Sequence, residues 1–237
     1  MISVILVEPE NPGNTGAICR SMKNFGFEDL IILGPKFDIS DPELKHRAKW
    51  ANDIIEKAKV LEYNQKNLKK IRKDFDYLVS TTARIGRDYN VLRSPITPKQ
   101  LAEKIAELDL KRKKVGIMIG REGSGLSNEE IAFSDFNVTI PTSKKYATMN
   151  MAHSTTIILY EIFQHINSEN ITSHITPISE KEREQLMKLF EEKLKTMSFA
   201  TEEKKNTQRI VWKKVISRSF LSKREAYAMM GFLRKIR

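Results

Sequence analysis

The sequence has a single cysteine, Cys19, among 237 residues. One cysteine can form neither an internal disulfide bond nor a cysteine-rich zinc site, and the four histidines show no metal-ligand spacing with it. No apolar run approaches the roughly 20 residues that a membrane-spanning helix needs. Residues 1–7 lack the basic residues of a secretory signal peptide and lead directly to Glu8. We therefore expect a cytoplasmic protein that uses neither a metal nor a membrane.

Basic residues are concentrated near the C-terminus. The formal net charge is +11, and residues 209–237 alone hold nine basic residues and one acidic residue. Apolar residues recur between these cations at helical spacing, so the segment should fold rather than extend into solvent. The imbalance favours a polyanionic partner, with nucleic acid ahead of a membrane surface. The plainer alternative is the solvated face of a C-terminal helix pair.

Short apolar runs alternate with amphipathic stretches over the first two thirds of the chain, which is typical of α/β proteins. Most of the runs lack the polar–apolar alternation of half-exposed strands, as strands buried on both faces do. They predict strands over 2–7, 29–33, 59–63, 76–80, 115–119 and 136–140. Helices are predicted over 15–25, 42–57, 98–107 and 149–167. The fold class is therefore α/β, with a parallel sheet covered by helices.

A polar segment follows this first domain, which spans residues 1–167. Residues 168–179 are rich in Ser, Asn, Thr and Pro, which is typical of a linker. The remaining residues, 180–237, form a small all-helical basic extension. Its three helices are predicted over 180–197, 201–218 and 222–236.

Three loop-to-helix junctions hold most of the polar residues that are suited to chemistry. They are residues 8–20, residues 119–130 with three glycines in six positions, and residues 140–154 before the long helix. Each junction follows a predicted strand, and α/β proteins bind ligands at the carboxyl ends of their strands. The glycines match neither the dinucleotide-binding pattern nor the P-loop. Taken singly, each junction also fits ordinary turn and capping chemistry.

Together the three junctions resemble the signature motifs of the SPOUT (SpoU-type) RNA 2′-O-methyltransferases. The motifs are Asn-x5-Arg, Gly-x-Glu-x-x-Gly and a small hydroxyl residue two positions before an Asn. The matching residues are Asn14, Arg20, Gly120, Glu122, Gly125, Thr148 and Asn150. The resemblance covers residues 2–167. The loop at 80–84 and the helical extension most resemble the branch of the family that modifies the anticodon loop of tRNA.

The resemblance implies a fold whose C-terminal part forms a trefoil knot that binds S-adenosylmethionine, and an active site formed by two chains of a homodimer. The implied cofactor-binding residues are Thr81, Thr82, Ala83, Gly120, Ile140, Ala147, Thr148 and Met149. The implied catalytic residues are Arg20, Asn14, Glu122, Thr148 and Asn150. Thr148 departs from the serine that is more usual there; it keeps the hydroxyl, but its extra methyl narrows the pocket.

Arg20 is the implied catalytic arginine. A free guanidinium has a pKa above 12 and is a poor base. Our hypothesis is that Arg20 positions a substrate phosphate and the reacting hydroxyl, with a proton-accepting role as the alternative. The candidates for RNA contacts are Arg84, Arg87, Lys213, Lys214, Arg218, Lys223 and Arg224.

The implied function is S-adenosylmethionine-dependent 2′-O-methylation of tRNA, with cytidine 32 in the anticodon loop as the expected target. The alternatives are methylation of ribosomal RNA or of another tRNA position, and a non-catalytic RNA-binding protein on the same fold. Trp50 and Trp212 are suited to stacking on bases, but core packing is the favoured interpretation for both. Glu8 and Glu10 resemble paired carboxylates, although solvation at a loop end is favoured.

Overall fold

A computed structural model describes residues 1–83, 95–143, 145–167, 176–219 and 221–236. Two of the predicted RNA-contacting residues, Arg84 and Arg87, lie outside the described residues. The chain divides into two units, Met1–Ser168 and Glu169–Arg237. Within the described ranges, no helix is both long and apolar enough to cross a membrane.

The first unit is built on a six-stranded parallel sheet, which confirms the predicted α/β class. Its strands are β1 (Ile2–Val7), β2 (Asp29–Leu33), β3 (Lys59–Leu61), β4 (Tyr77–Thr81), β5 (Val115–Ile119) and β6 (Phe136–Val138). Their order across the sheet is β3-β2-β1-β5-β4-β6. The predicted bounds of β1, β2 and β5 are confirmed, and every residue of β1 and β5 is buried. Strands β3 and β6 end two residues earlier than predicted, and β4 is shifted by one residue.

Seven helices are described in this unit: α1 (Pro12–Asn24), α2 (Pro42–Ala48), α3 (Asn52–Lys57), α4 (Gln65–Asp74), α5 (Pro98–Ala106), α6 (Asn128–Ala132) and α7 (Met151–Ile166). Helix α4 is not among the helices predicted from the sequence. The prediction of one continuous helix over 42–57 is wrong, because a 3-10 turn, Lys49–Ala51, separates α2 from α3. Lys49 has a φ of 55°, which no residue inside a right-handed helix adopts.

The helices cover both faces of the sheet. Successive strand residues point to opposite faces, so Val4 and Leu6 pack on one side with Ile18 of α1. Ile5 packs on the other side with Leu68 of α4. Because all six strands are parallel, their carboxyl ends lie at one edge, and this edge holds the loops that follow β1, β4, β5 and β6. The three junctions singled out in the sequence therefore meet there.

The second unit consists of α8 (Glu180–Thr196), α9 (Glu202–Arg218) and α10 (Lys223–Lys235). Its buried core comprises Ile178, Leu186, Ile216, Ala226, Met230 and Leu233. The backbone N–H of Ile178 donates to the carbonyl of Leu221 at 2.9 Å, so this residue of the predicted linker packs with the helices. The predicted division into domain, linker and extension stays a prediction, and so does the trefoil knot.

Candidate active site

A cleft of about 660 Å³ opens beside the carboxyl ends of β4, β5 and β6. The eight residues predicted to bind a cofactor all line it: Thr81, Thr82, Ala83, Gly120, Ile140, Ala147, Thr148 and Met149. Apolar residues Leu126, Met151 and Ile158 form part of the same wall. Three separated stretches of sequence thus meet around one cavity, while their role in cofactor binding stays a prediction.

The glycine-rich loop after β5 forms a tight turn that borders the cleft. The backbones of Arg121 and Gly125 hydrogen-bond to each other in both directions, at 3.3 and 3.0 Å. Gly125 has a φ of +70°, and a Cβ on Gly120 would lie 2.3 Å from the carbonyl carbon of Gly125. These two positions therefore require glycine, because any side chain at residue 120 would collide with the backbone of the turn.

Glu122 ties this turn to the junction after β1. Its Oε2 accepts a hydrogen bond from the backbone N–H of Glu10 at 2.8 Å, and its Oε1 accepts one from Asn11 N–H at 3.1 Å. The side-chain amide of Asn14 also donates to Oε1, at 3.2 Å. Three donors on one carboxylate hold the start of α1 against the glycine-rich turn.

Asn14 and Asn150 extend the connection to the third junction. The Asn150 amide donates to the Asn14 side-chain oxygen at 3.1 Å. The Asn150 side-chain oxygen caps α7 by accepting from the N–H groups of Ala152 and His153, at 2.8 and 3.4 Å. Glu122, Asn14 and Asn150 therefore form one continuous hydrogen-bonded chain, and only Glu122 of the three lines the cleft.

A second polar cluster next to this chain is centred on Arg121, to which the sequence analysis gave no role. Arg121 makes a bidentate pair with Glu130, at 2.9 and 3.1 Å, and its Nε donates to Glu8 at 2.9 Å. Tyr63 donates from its hydroxyl to Glu130 at 2.6 Å, and the guanidinium lies over the Tyr63 ring. Lys36 forms an ion pair with the other oxygen of Glu8. Glu130 is fully buried.

The pKa values in the Arg121 cluster follow from these contacts. Burial raises the pKa of Glu130, but hydrogen bonds from Arg121, Tyr63 and Ser127 outweigh it, and the pKa lies below its ordinary value of 4.5. The pKa of Glu8 is lowered in the same way, by Lys36 and Arg121 against burial. The hydrogen bonds to Glu130 raise the pKa of Arg121. Glu8, Glu130 and Arg121 are therefore all charged at neutral pH.

The interpretation of Glu8 as a solvated loop-end carboxylate is wrong, because its side chain is only 12% exposed and it is paired twice. The cluster joins the ends of two strands that are far apart in sequence. Glu8 directly follows β1, Arg121 comes two residues after β5, and β1 pairs with β5. Predicting the Arg121 cluster requires knowing that β1 pairs with β5, and the local sequence pattern does not give that pairing.

Arg20 lies on α1, is exposed, and does not line the cleft. Among the described residues it has no hydrogen-bond or ion-pair partner. The next residue, Ser21, hydrogen-bonds to Thr156 of α7 at 2.6 Å. Phe25, which directly follows α1, also contacts the rings of Tyr160 and Phe163. The C-terminal end of α1 and helix α7 together present a partly exposed aromatic surface, and Tyr160 is 46% exposed.

The five extension cations predicted to contact RNA, namely Lys213, Lys214, Arg218, Lys223 and Arg224, are all exposed. Within the described part of the chain, only Lys223 of these five has an ion-pair partner, Glu182 at 3.5 Å. The prediction that Trp212 packs in the core is confirmed in part, since its ring lies 4.9 Å from that of Phe190. The same prediction for Trp50 is wrong, because Trp50 is 92% exposed.

The model of the SpoU rRNA methylase family matches residues 1–160. The chain belongs to this family. The match includes the two junctions that line the cleft and the junction at residues 8–20, which the hydrogen-bonded chain joins to them. The resemblance drawn from the motifs is therefore confirmed at the level of the family.

Relatives of this SpoU family member include proteins that match over nearly the whole chain. It is 40% identical to the tRNA (cytidine-2′-O-)-methyltransferase TrmJ of Methanocaldococcus jannaschii, over 98% of this chain and 97% of that one. It is 31% identical to the protein of the same name from Sulfolobus acidocaldarius, over 99% and 93%. The crystal structure of TrmJ from Z. mobilis ZM4 superposes with a TM-score of 0.70 at 24% identity, covering 100% of this chain and 99% of the other.

Proposed function

We propose that this protein transfers the methyl group of S-adenosylmethionine to the 2′-hydroxyl of a tRNA ribose, at cytidine 32 of the anticodon loop. The observation that carries the proposal is the convergence of all eight predicted cofactor residues on one cleft. The match to tRNA (cytidine-2′-O-)-methyltransferases extends through the C-terminal helices, which supports tRNA rather than ribosomal RNA as the substrate.

The residues around the cleft fit S-adenosylmethionine. A volume of about 660 Å³ suits a small cofactor. Ile140, Met149 and Leu126 offer apolar contacts, and Gly120, whose missing side chain makes room for the backbone of the glycine-rich turn, lines the same cleft. When bound, the cofactor supplies a methyl group on a positively charged sulfur. Thr148, at the small hydroxyl position of the family motif, lines the cleft.

Substrate positioning falls to Arg20 and to the chain formed by Glu122, Asn14 and Asn150. The ribose hydroxyl must be aligned with the methyl group and lose its proton as the new bond forms. A guanidinium is a cation with five hydrogen-bond donors, so we assign Arg20 the binding of a substrate phosphate next to the reacting ribose. The hydrogen-bonded chain fixes the start of α1, on which Arg20 lies, relative to the cleft.

A second copy of the chain completes the site in this proposal. Arg20 does not line the cleft of its own chain, and the end of α1, the helix that carries Arg20, shares a partly exposed aromatic surface with α7. Burying that surface between two copies, as a homodimer, would remove apolar area from water. Arg20 of one copy would then meet the cleft of the other.

The extension supplies phosphate contacts in the same proposal. Four of its exposed cations, Lys213, Lys214, Arg218 and Arg224, have no acidic partner within the described residues, so their charge is available to a polyanion. Each phosphate contact adds to the salt dependence of RNA binding.

Methyl transfer from labelled S-adenosylmethionine to total RNA, followed by mapping of the modified nucleotide, tests the proposal. We expect label in tRNA, at the ribose of nucleotide 32. Label in ribosomal RNA or at another tRNA position would replace the substrate while keeping the chemistry. Binding of RNA with no label transferred would select the non-catalytic alternative.

A further inference from the structure

The most exposed large apolar side chain described in the protein is that of Trp50, at 92% exposure. A tryptophan buries an unusually large apolar area when it packs, so leaving it in solvent forgoes a large stabilisation. Single exposed apolar residues are nevertheless common on soluble proteins, so the inference depends on the surroundings of Trp50. We call Lys45, His46, Arg47, Lys49 and Trp50 the Trp50 surface.

The backbone at Lys49 turns Trp50 outward. Helix α2 ends where Lys49 takes a φ of 55°, and the 3-10 turn that follows keeps Ala48 and Ala51 buried on either side of Trp50. A positive φ is unfavourable for lysine, which has a Cβ. The side-chain amide of Asn52 donates to the Lys49 carbonyl at 2.9 Å and holds the turn. The exposure of Trp50 is therefore fixed by the fold and does not come from a loose chain end.

Basic residues precede the exposed ring in the sequence. Lys45, Arg47 and Lys49 are all exposed, and two of the acidic groups nearby are already engaged. Glu43 lies 3.7 Å from Arg47, and Asp53 pairs with Lys23 of α1 at 2.6 Å. A planar aromatic ring among cations is the combination that binds single-stranded nucleic acid, through base stacking and phosphate contacts.

The Trp50 surface lies next to Arg20. A Cβ on Gly16 would be 2.9 Å from the Cβ of Arg47 and 2.3 Å from the carbonyl oxygen of Leu44, so α1 and α2 touch at Gly16. Arg20 follows Gly16 by one helical turn, on the same face of α1, and helical side chains lean back toward the N-terminus. The Cβ of Arg47 therefore lies about one turn of α1 away from Arg20, the residue to which we assign the substrate phosphate.

We propose that the Trp50 surface binds an unpaired stretch of the substrate RNA, with one base stacked on Trp50 and neighbouring phosphates bound by Lys45, Arg47 and Lys49. The inference rests on the proposed function, since it assumes an RNA substrate that reaches Arg20. The surface adds a contact outside the cleft and outside the C-terminal extension, and it selects RNA with a looped-out or single-stranded segment beside the target ribose.

Binding of an unmodified tRNA transcript by Trp50→Ala and Trp50→Phe tests the proposal. We expect Trp50→Ala to bind about tenfold more weakly, the effect of losing one base–aromatic stack, and Trp50→Phe to bind nearly as well as the wild type. The slope of affinity against salt should not change in Trp50→Ala, whereas Lys49→Ala should reduce it. Equal affinity of Trp50→Ala and the wild type would overturn the proposal.

Fluorescence reports on Trp50 without depending on catalysis. In a Trp212→Phe chain, Trp50 is the only tryptophan, and the tRNA transcript should quench its emission while a perfectly paired RNA duplex quenches it much less. Absence of quenching by the transcript would overturn the proposal. A second result would also overturn it. If Trp50→Ala sediments as a monomer where the wild type is a dimer, and each chain binds RNA with unchanged affinity, Trp50 contacts a second copy and not RNA. Quenching without any methyl transfer would reject the proposed function and leave this inference standing.

Discussion

Arg121 and Arg20 belong to neighbouring sequence motifs, yet they have opposite environments. Arg121 is 16% exposed, forms ion pairs with Glu130 and Glu8, and lies over the ring of Tyr63. Arg20 is exposed and has no partner among the described residues. A guanidinium whose donors are all engaged by the protein holds the fold together, whereas an unengaged one is available to a substrate. The difference predicts that Arg121 is a structural arginine and Arg20 a functional one within the same family signature.

Replacing Arg121 should have the largest effect on stability. Arg121→Met leaves the buried carboxylate of Glu130 without its cation, and breaking one side of a buried ion pair costs about 3–5 kcal/mol. Urea unfolding at neutral pH measures this loss. The double variant Arg121→Met, Glu130→Gln is the matched control, since it also removes the orphaned charge and should recover much of the loss. A single variant within about 0.5 kcal/mol of the wild type would show that the cluster is not structural.

Replacing Arg20 should instead impair methyl transfer and leave stability intact. We expect Arg20→Ala to lower methyl transfer by about 100-fold, the scale of losing a positioning contact at a reacting group. Its unfolding free energy should stay within about 0.5 kcal/mol of the wild type, because Arg20 contacts little. Near-normal turnover in Arg20→Ala would remove Arg20 from the site.

Mixing two inactive variants tests whether Arg20 acts on the cleft of a second copy. One variant is Arg20→Ala, and the other is Ala147→Trp, which fills the cleft from an exposed position. A mixed dimer would hold one intact site, formed by the open cleft of the first chain and Arg20 of the second. Activity regained on mixing supports the shared site, and none regained would place both parts in one chain.

Local patterns in the sequence were enough to predict the sheet and the loops around the cleft. Buried runs of Ile, Val and Leu gave the bounds of β1, β2 and β5, and the motif spacing led to the cleft. The Arg121 cluster was missed because it depends on which strands are neighbours, a long-range property. The break at Lys49 was missed because a positive φ is rare for lysine, and the exposed position of Trp50 follows from that break. These misses lie where tertiary contacts override local propensity.

Glu122 combines a structural role with a place in the site, because it lines the cleft and also holds the start of α1 in position. Glu122→Gln keeps the shape of the side chain but replaces one carboxylate oxygen with an amide, which cannot accept the hydrogen bonds it now receives. We expect methyl transfer to fall about tenfold through misplacement of Arg20, with a loss of about 1 kcal/mol in unfolding free energy. Steady-state kinetics beside urea unfolding separates the two. A loss of stability without a loss of turnover would make Glu122 purely structural.

Lowering the pH should reduce the difference in unfolding free energy between the wild type and Arg121→Met. In the wild type the pKa values of Glu8 and Glu130 lie below the ordinary 4.5 of an unfolded glutamate. Their contribution is therefore complete above about pH 4.5 and is lost as the pH falls through the lowered values, because the unfolded chain takes up protons first. Without Arg121, burial dominates and raises the pKa of Glu130, so the variant gains stability as the pH falls and Glu130 becomes neutral.

This gap in unfolding free energy between the wild type and Arg121→Met should consequently narrow as the pH falls from 7 to 4, by an amount on the order of 1 kcal/mol for each unit of pKa change. Titrating groups that both chains share cancel in the difference, so the comparison isolates the cluster. Urea unfolding of both chains at several pH values in constant salt measures it. A gap that stays constant across this range would mean that the carboxylates do not sense Arg121. The contrast between the two arginines would then rest on exposure alone.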